Sequence, residues 1–223
     1  MDNLEIIITG DGSHSLIHKE LNETYHSRHG AVQESNHIFI KNGLDYFVEK
    51  FNPAEIRILE IGFGTGLNVF LTFQRALNIP ISITSIEKFP IASSLWNELN
   101  YTTNYGQEGR AVFEKIHQCP WNEEIRFSSF FSLSKINASL GNIVFTSSFD
   151  LIYFDAFAPN KQPEMWSIEM LKKIIDVMKT PAVFVTYCAK GQLKRDLKSL
   201  RLLVESPDGP PGKKEMTRAT KAS

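Results

Sequence analysis

Leu59-Glu60-Ile61-Gly62-Phe63-Gly64-Thr65-Gly66 is the stretch that decides the fold of this chain. An apolar run ends in an acid, three glycines follow at alternate positions, and a helix-like pattern begins at Leu67. A strand that turns abruptly into a helix uses Gly where the backbone takes φ > 0 or where a ligand comes close. The segment predicts a nucleotide-shaped ligand site at the carboxyl edge of a parallel sheet. Its spacing argues against a dinucleotide, whose fingerprint is G-x-G-x-x-G. Here the pattern is E-x-G-x-G-x-G.

Outward from this turn, strand and helix patterns alternate. Ile56 to Leu59 reads as a buried strand, Leu67 to Leu77 as a helix and Ile81 to Ile86 as a second strand. A helix follows Pro90 over residues 91–99, and Ile125 to Phe130 reads as the third strand. Phe149 to Phe154 is the fourth strand, Met165 to Met178 a helix, Ala182 to Tyr187 the fifth strand and Lys190 to Leu200 a helix. Arg201 to Glu205 and Met216 to Thr220 suit an antiparallel pair around Pro207-Asp208-Gly209-Pro210-Pro211-Gly212. Strands alternating with helices imply an α/β fold with a doubly wound, mainly parallel sheet. Before it, residues 4–18 carry a hairpin signal at Gly10-Asp11-Gly12, and residues 36–50 have helical spacing with Asn36 as the expected cap. The expected division is an N-terminal extension over 1–50 packed on a core domain over 51–223.

The composition bounds the function. The chain has 223 residues, 42% hydrophobic, enough for one α/β domain with a real core. No run of 18 apolar residues occurs and the first residues lack a basic leader, so no membrane role is expected. The two cysteines, Cys119 and Cys188, make neither a disulfide framework nor a metal cluster, which suits a cytoplasmic chain. Five of the six histidines fall between His14 and His37 without Cys or H-E-x-x-H spacing, so lid or surface roles are expected rather than a metal site. Net charge is −1, but Lys190 to Ser223 holds nine Lys/Arg against four acids. That basic end suits phosphate contacts, or simply a solvated lysine-rich face.

Gly-rich turns of this spacing, preceded by an acid, resemble motif I of class I S-adenosylmethionine-dependent methyltransferases. The donor's sulfonium and ammonium make an acid such as Glu60 electrostatically sensible, and Glu87, at the end of the second strand, can accept both ribose hydroxyls. Glu60, Gly62, Gly64, Gly66, Glu87 and Lys88 are the cofactor-side candidates. Asp155 ends the fourth strand and faces the same crevice. Methyl transfer needs a nucleophile with a free lone pair, and an alkylamine is mostly protonated near neutral pH. A carboxylate beside it can hold the ammonium, orient it and take its proton, so Asp155 is the catalytic candidate, or else a turn acid. Phe157, Trp166 and Tyr187 lie in the following loops, where they can stack on an extruded base or serve as ordinary lid packing.

Several stretches together resemble the methyltransferase domain of MnmC-type tRNA modification enzymes. They are Asp155-Ala-Phe-Ala-Pro159, Pro163-Glu-Met-Trp166, Thr186-Tyr-Cys-Ala-Lys-Gly191 with Lys194-Arg195, and Gly209-Pro-Pro-Gly-Lys-Lys-Glu-Met216. Tyr25-His26-Ser27, Gly30-Ala31 and Glu34-Ser35 join them. The resemblance implies a Rossmann-like fold and S-adenosyl-L-methionine-dependent N-methylation of 5-aminomethyl-2-thiouridine at the tRNA wobble position. It implies dependence on upstream wobble-uridine enzymes, Asp155 as base, and Lys190, Lys213 and Lys214 beside the aromatic residues on the substrate side. The flavin-dependent oxidase of two-domain members has no counterpart here, so the resemblance is to the stand-alone form. Many class I methyltransferases carry an acid after the third strand; the expected counterpart, Phe127 to Phe131, has none, which leaves a serine hydroxyl or backbone group there. A methyltransferase for another amine-bearing small molecule or protein, a non-catalytic cofactor-binding module, and more remotely a flavin or nicotinamide oxidoreductase are the competing readings.

Overall fold

The computed structural model describes residues 3–75 and 78–222. β1 (Leu4–Ile8) and β2 (His14–His18) form the expected hairpin, and β3 (Glu23–Thr24) adds to β2, giving a three-stranded antiparallel sheet. At the hairpin tip, Asp11 Oδ1 accepts from Ser13 N at 3.0 Å while Oδ2 accepts from Gln33 N at 2.9 Å. Gln33 lies in the first turn of α1 (Ala31–Ser35), so Asp11 satisfies an orphan helix donor from another part of the chain. The helical rod therefore starts at Ala31, five residues before the expected cap Asn36. It continues through a π-helical segment (Asn36–Asp45) into α2 (Tyr46–Phe51). Gly43 lets this rod lie close to the sheet: a Cβ there would stand 3.0 Å from Val185 Cγ2 and 3.2 Å from Tyr153 Cε1.

The large sheet runs β4 (Ile56–Ile61), β5 (Ile81–Glu87), β6 (Glu124–Ser128), β7 (Phe131–Asn137), β8 (Phe149–Phe154), β9 (Met178–Thr186), β10 (Leu203–Glu205) and β11 (Thr217–Lys221) in chain order. In space the order is β10-β11-β9-β8-β4-β5-β7-β6. β7, β5, β4, β8 and β9 are parallel, and the C-terminal pair β10/β11 is antiparallel, as expected. All six residues of β8 are buried, the signature of a strand covered on both faces. The covering helices are α3 (Leu67–Gln74), α4 (Ser93–Trp96), α5 (Gly106–Gln118), α6 (Ile168–Asp176) and α7 (Gly191–Ser199). Leu77, assigned to the first core helix, lies outside the described residues. Among the described residues, no helix is long and apolar enough to cross a membrane.

One helix went unread and two sequence expectations need correction. The helix α5 has too few apolar residues to register in the pattern; Phe113 and Ile116 alone carry its large buried side chains. The segment expected as the third parallel strand is β6, an antiparallel edge strand that turns at Ser129-Phe130 into the true third parallel strand, β7. The region beyond the third strand is therefore Ala138-Ser139-Leu140, not Phe127 to Phe131. Finally, α6 begins at Ile168, where Ser167 Oγ accepts from Met170 N at 3.3 Å, and Met178 already belongs to β9.

The chain leaves β4 for β5 and β7 on one side, then crosses to β8 and β9 on the other. That reversal opens a crevice beyond the carboxyl ends of β4 and β8. Register sets what emerges there. Ile61 pairs with both Ile86 and Phe154, so Gly62, Glu87 and Asp155 follow side by side at one level of the sheet edge.

Candidate active site

The turn after β4 is built for close approach. Gly62 has φ +93°, and a Cβ there would meet the Asp155 carbonyl oxygen at 2.6 Å. Only glycine lets the ends of β4 and β8 touch in this way. Gly64 (φ +50°) lies under the Tyr25 ring, and Gly66 (φ +72°) against His117 and Phe63. Gly64 N donates to Glu87 Oε2 at 3.1 Å, and Phe89 N to Glu87 Oε1 at 2.8 Å. Two backbone amides thus fix the Glu87 carboxylate while leaving acceptor sites on both oxygens.

Beyond the turn lies a cavity of about 810 Å³, within the usual size of a ligand site. Gly62, Gly64, Glu87, Lys88, Asp155, Phe157, Tyr187 and Lys213 all line it, so eight of the sequence candidates converge. Glu60, Gly66, Trp166, Lys190 and Lys214 are not on its wall. Glu60 is fully buried beneath the turn, where it accepts a hydrogen bond from Ser85 Oγ. Trp166 is a buried prop: its indole donates to the Phe157 carbonyl at 2.8 Å and its ring meets Phe154 and Tyr187. Lys190 and Lys214 are exposed on the surface.

Asp155 is the chemically prominent group on the wall. Burial raises its carboxyl to about 7, against the hydrogen bond it accepts from Asn68 Nδ2 at 2.9 Å. Glu60 is raised further, to about 8, by burial above all. An acid with its pKa near neutrality can both hold and receive a proton under ordinary conditions. Tyr187 donates its hydroxyl to the Ala156 carbonyl at 2.8 Å, and Lys213 Nζ lies 4.3 Å from the centre of its ring.

Sequence reasoning missed the groups that close the cavity. Tyr25 packs edge-on against Phe157 at 5.0 Å, and both line the cavity. His26, expected at a lid or surface, is buried with Nε2 2.8 Å from Thr65 Oγ1; burial lowers it to about 4 and holds it neutral. Glu34 pairs with Lys213 at 2.7 Å. Asn68 is almost fully buried and bridges toward Asp155. Ala138, Ser139 and Leu140 line the cavity, so the region after the true third strand also has no acid. The basic C-terminal region is partly neutralised: Lys194 pairs with Glu215 and Arg218 with Glu205, while Lys221 donates to the Ile175 and Met178 carbonyls.

The residues present fit an adenosyl donor. The glycine turn reaches the cavity at Gly62 and Gly64, a carboxylate fixed by two backbone amides stands at the end of β5, and Phe63, Leu95, Leu140 and Met170 add apolar lining.

Comparison with known proteins agrees with this geometry. Residues 117–222 match a family described as S-adenosyl-L-methionine-dependent methyltransferase. The chain is similar to the "tRNA 5-methylaminomethyl-2-thiouridine biosynthesis bifunctional protein MnmC" of Acinetobacter baylyi, 28% identical over 225 residues, covering 94% of this chain and 36% of that protein. The protein of the same name from Leptospira interrogans is 28% identical over 232 residues, covering 94% and 34%. The chain thus spans about a third of the length of these relatives. Among solved structures, MnmC2 from Aquifex aeolicus superposes with a TM-score of 0.81 at 26% identity, covering all of this chain and 72% of that one. Spermidine synthase from Thermotoga maritima, at 13% identity and a TM-score of 0.59, shares the fold.

Proposed function

We propose that this chain is an S-adenosyl-L-methionine-dependent methyltransferase and that it methylates the primary amine of 5-aminomethyl-2-thiouridine at the wobble position of tRNA. The product is 5-methylaminomethyl-2-thiouridine. The observation that carries this reading is Asp155: a carboxyl tuned to about 7 opens on the same cavity as the glycine turn and Glu87. The names of the similar proteins supply the RNA and the modified base.

S-adenosyl-L-methionine supplies an electrophilic methyl group on a sulfonium. On the protein side, Gly62 and Gly64 provide the open turn, and Glu87 offers its remaining lone pairs to a ribose diol. Lys88 lines the same part of the cavity. Asp155 binds the substrate's ammonium, orients it and accepts its proton, freeing the nitrogen lone pair. Removing that proton inside a walled cavity is easier than in water because the acid is already destabilised as an anion by burial. Tyr25, Phe157 and Tyr187 offer ring faces and edges to an extruded base. Lys214 and the exposed bases of α7 are the candidates for phosphate contacts. The reading requires upstream wobble-uridine enzymes to deliver the aminomethyl group, and it treats residues 1–50 as a closing extension on a catalytic domain over 51–223.

The test is mass spectrometry of wobble nucleosides after incubating the purified chain with methyl donor and tRNA bearing 5-aminomethyl-2-thiouridine. A mass gain of one methyl group on that nucleoside is expected. Methylation of other nucleosides, or none with tRNA but turnover of a small amine, overturns the assignment.

A further inference from the structure

The third glycine of the turn makes room for a histidine rather than for the cavity, whose wall it does not join. A Cβ at Gly66 would stand 2.9 Å from His117 Nε2 and 3.0 Å from Phe63 Cζ. From the notch left there, His117 Nε2 reaches the Thr65 carbonyl at 3.1 Å. A second imidazole reaches the same residue: His26 Nε2 lies 2.8 Å from Thr65 Oγ1. Thr65 follows Gly64, whose N–H donates to Glu87, and precedes α3. We propose that His26 and His117 are positioning residues for the methyl donor: they clamp Thr65 through its hydroxyl and its carbonyl, and so hold Gly64 and Glu87 in the arrangement that receives S-adenosyl-L-methionine. This rests on the reading that the donor occupies the cavity beyond this turn.

The turn needs such a clamp. Its glycines give it little conformational preference of its own, and ordering it only when the donor arrives would cost affinity. A carbonyl only accepts, so the contact to Thr65 O puts the ring proton of His117 on Nε2. The Thr65 hydroxyl can donate or accept, so it suits His26 in either tautomer. Both rings are themselves held. His117 stacks on Trp96 with centroids 4.7 Å apart and planes 11° apart, and meets Phe63 and Phe113 edge-on. Lys135 Nζ donates to the His117 carbonyl at 2.7 Å, which fixes the end of α5. His26 N donates to Ser15 Oγ at 3.1 Å, and Tyr25 N to the Leu16 carbonyl at 2.9 Å, so the N-terminal sheet anchors the other side. Thr65 is buried, and water does not replace either contact. Burial keeps the His117 ring neutral, and the cations Lys135 and Arg110 act in the same sense. The glycine turn is thus held by α5 and the N-terminal extension, two elements outside its own strand–turn–helix unit.

Two substitutions separate the hydrogen bond from mere packing. His117→Phe keeps a ring against Trp96 but has no N–H for Thr65, whereas His117→Gln loses the stack but carries an amide N–H at about the reach of Nε2. Calorimetric titration of the full chain with S-adenosyl-L-methionine is expected to give an affinity about three- to tenfold weaker than wild type for His117→Phe, the population shift that one buried hydrogen bond commands. His117→Gln is expected to bind within about twofold of wild type. A packing role alone predicts the reverse order. Long-range proton–nitrogen spectra of the chain labelled in its histidine rings, taken near neutral pH without donor, are expected to show His117 as the neutral Nε2–H tautomer. A cationic ring, a proton on Nδ1, or affinity kept better by His117→Phe than by His117→Gln overturns the proposal. Should His117→Phe fail to fold, Thr65→Ser and Thr65→Val test the His26 contact: serine keeps the hydroxyl and must bind the donor more tightly than valine, and equal affinities overturn the proposal. A wild type that binds no S-adenosyl-L-methionine overturns the methyltransferase reading and this one with it; a bound donor with the wrong order of variants overturns this one alone.

Discussion

Lys213 Nζ lies 2.7 Å from Glu34 Oε1, an ion pair between residues 179 positions apart in the chain. Glu34 Oε2 also accepts from Ser27 N at 2.6 Å, so the carboxylate ties the N-terminal segment to the loop between β10 and β11 beside the cavity. Glu34 keeps 8% of its side-chain exposure and Lys213 32%. Removing Lys213 strands a nearly buried anion. Lys213→Ala is expected to lower stability by about 1–3 kcal/mol, less than for a fully buried pair because the lysine is partly solvated. Pairing it with Glu34→Gln should recover part of that loss. Denaturant unfolding of the two single variants and the double variant gives the coupling; strictly additive losses would mean that the pair contributes nothing.

Lys214 should behave differently from its neighbour. It is exposed, whereas Lys213 is engaged by Glu34 and lies over Tyr187. If Lys214 meets a phosphate, Lys214→Ala reduces the slope of log affinity for tRNA against log salt by about one, while Lys213→Ala leaves that slope nearly unchanged. Filter-binding or anisotropy titrations over a range of salt concentrations distinguish the two. Equal changes in slope would place both lysines on the RNA backbone.

Asp155→Ala is expected to lower methyl transfer by roughly 100- to 10,000-fold, the usual contribution of a positioned acid–base group. Donor affinity should persist, because the glycine turn and the Glu87 anchors do not depend on the Asp155 carboxylate. Calorimetric titration with S-adenosyl-L-methionine beside a turnover assay reads both quantities. Turnover equal to wild type would remove Asp155 from the chemistry.

How much of this was legible depends on whether the determinant was local. The strand–turn–helix at Leu59 to Gly66 and the acids Glu87 and Asp155 were legible because glycine spacing and strand ends are local signals. β7 was hidden by Lys135, which is fully buried on that strand, donates to the His117 carbonyl at 2.7 Å and lies 4.7 Å from the Trp121 ring centre. A charged residue breaks the hydrophobic pattern of a buried strand, and nothing nearby in sequence reveals that a ring and a carbonyl receive it. The start of α1 was misplaced because its cap, Asp11, comes from the hairpin tip rather than from the preceding residue. Asn68 carries no motif of its own, and the resembling stretch Glu34-Ser35 says nothing of what Glu34 would meet. Their roles arise from partners 87 and 179 positions away, Asp155 and Lys213. Lys213 was legible as a candidate and lines the cavity, but its surroundings were not legible: it meets an acid rather than open solvent.

The buried titratable groups predict an unusual stability profile. Burial raises Glu60 to about 8 and Asp155 to about 7, both above their ordinary carboxylate values. In the folded chain these acids retain protons that the unfolded chain has released, so their contribution is full at low pH and is lost as pH rises toward 7–8. Burial lowers His26 to about 4 and His117 to about 3, below the ordinary histidine value of 6.5. There the unfolded chain binds the extra protons, so stability from these groups is present above 6.5 and is lost as pH falls through 4 and 3. Between about 4.5 and 6.5 the two acids and two histidines act in opposite senses and nearly cancel. These four groups therefore place maximum stability on the mildly acidic side, with a decline from about 6.5 toward 8. A tenfold difference in proton affinity between the folded and unfolded chain is worth about 1.4 kcal/mol at most. Glu60→Gln should flatten the alkaline decline, and His26→Asn the acid one. Thermal unfolding across pH measures both limbs; a wild-type midpoint that climbs from pH 6.5 to 8 would contradict the assignment of proton-holding acids on the cavity wall, at Asp155, and beneath it, at Glu60.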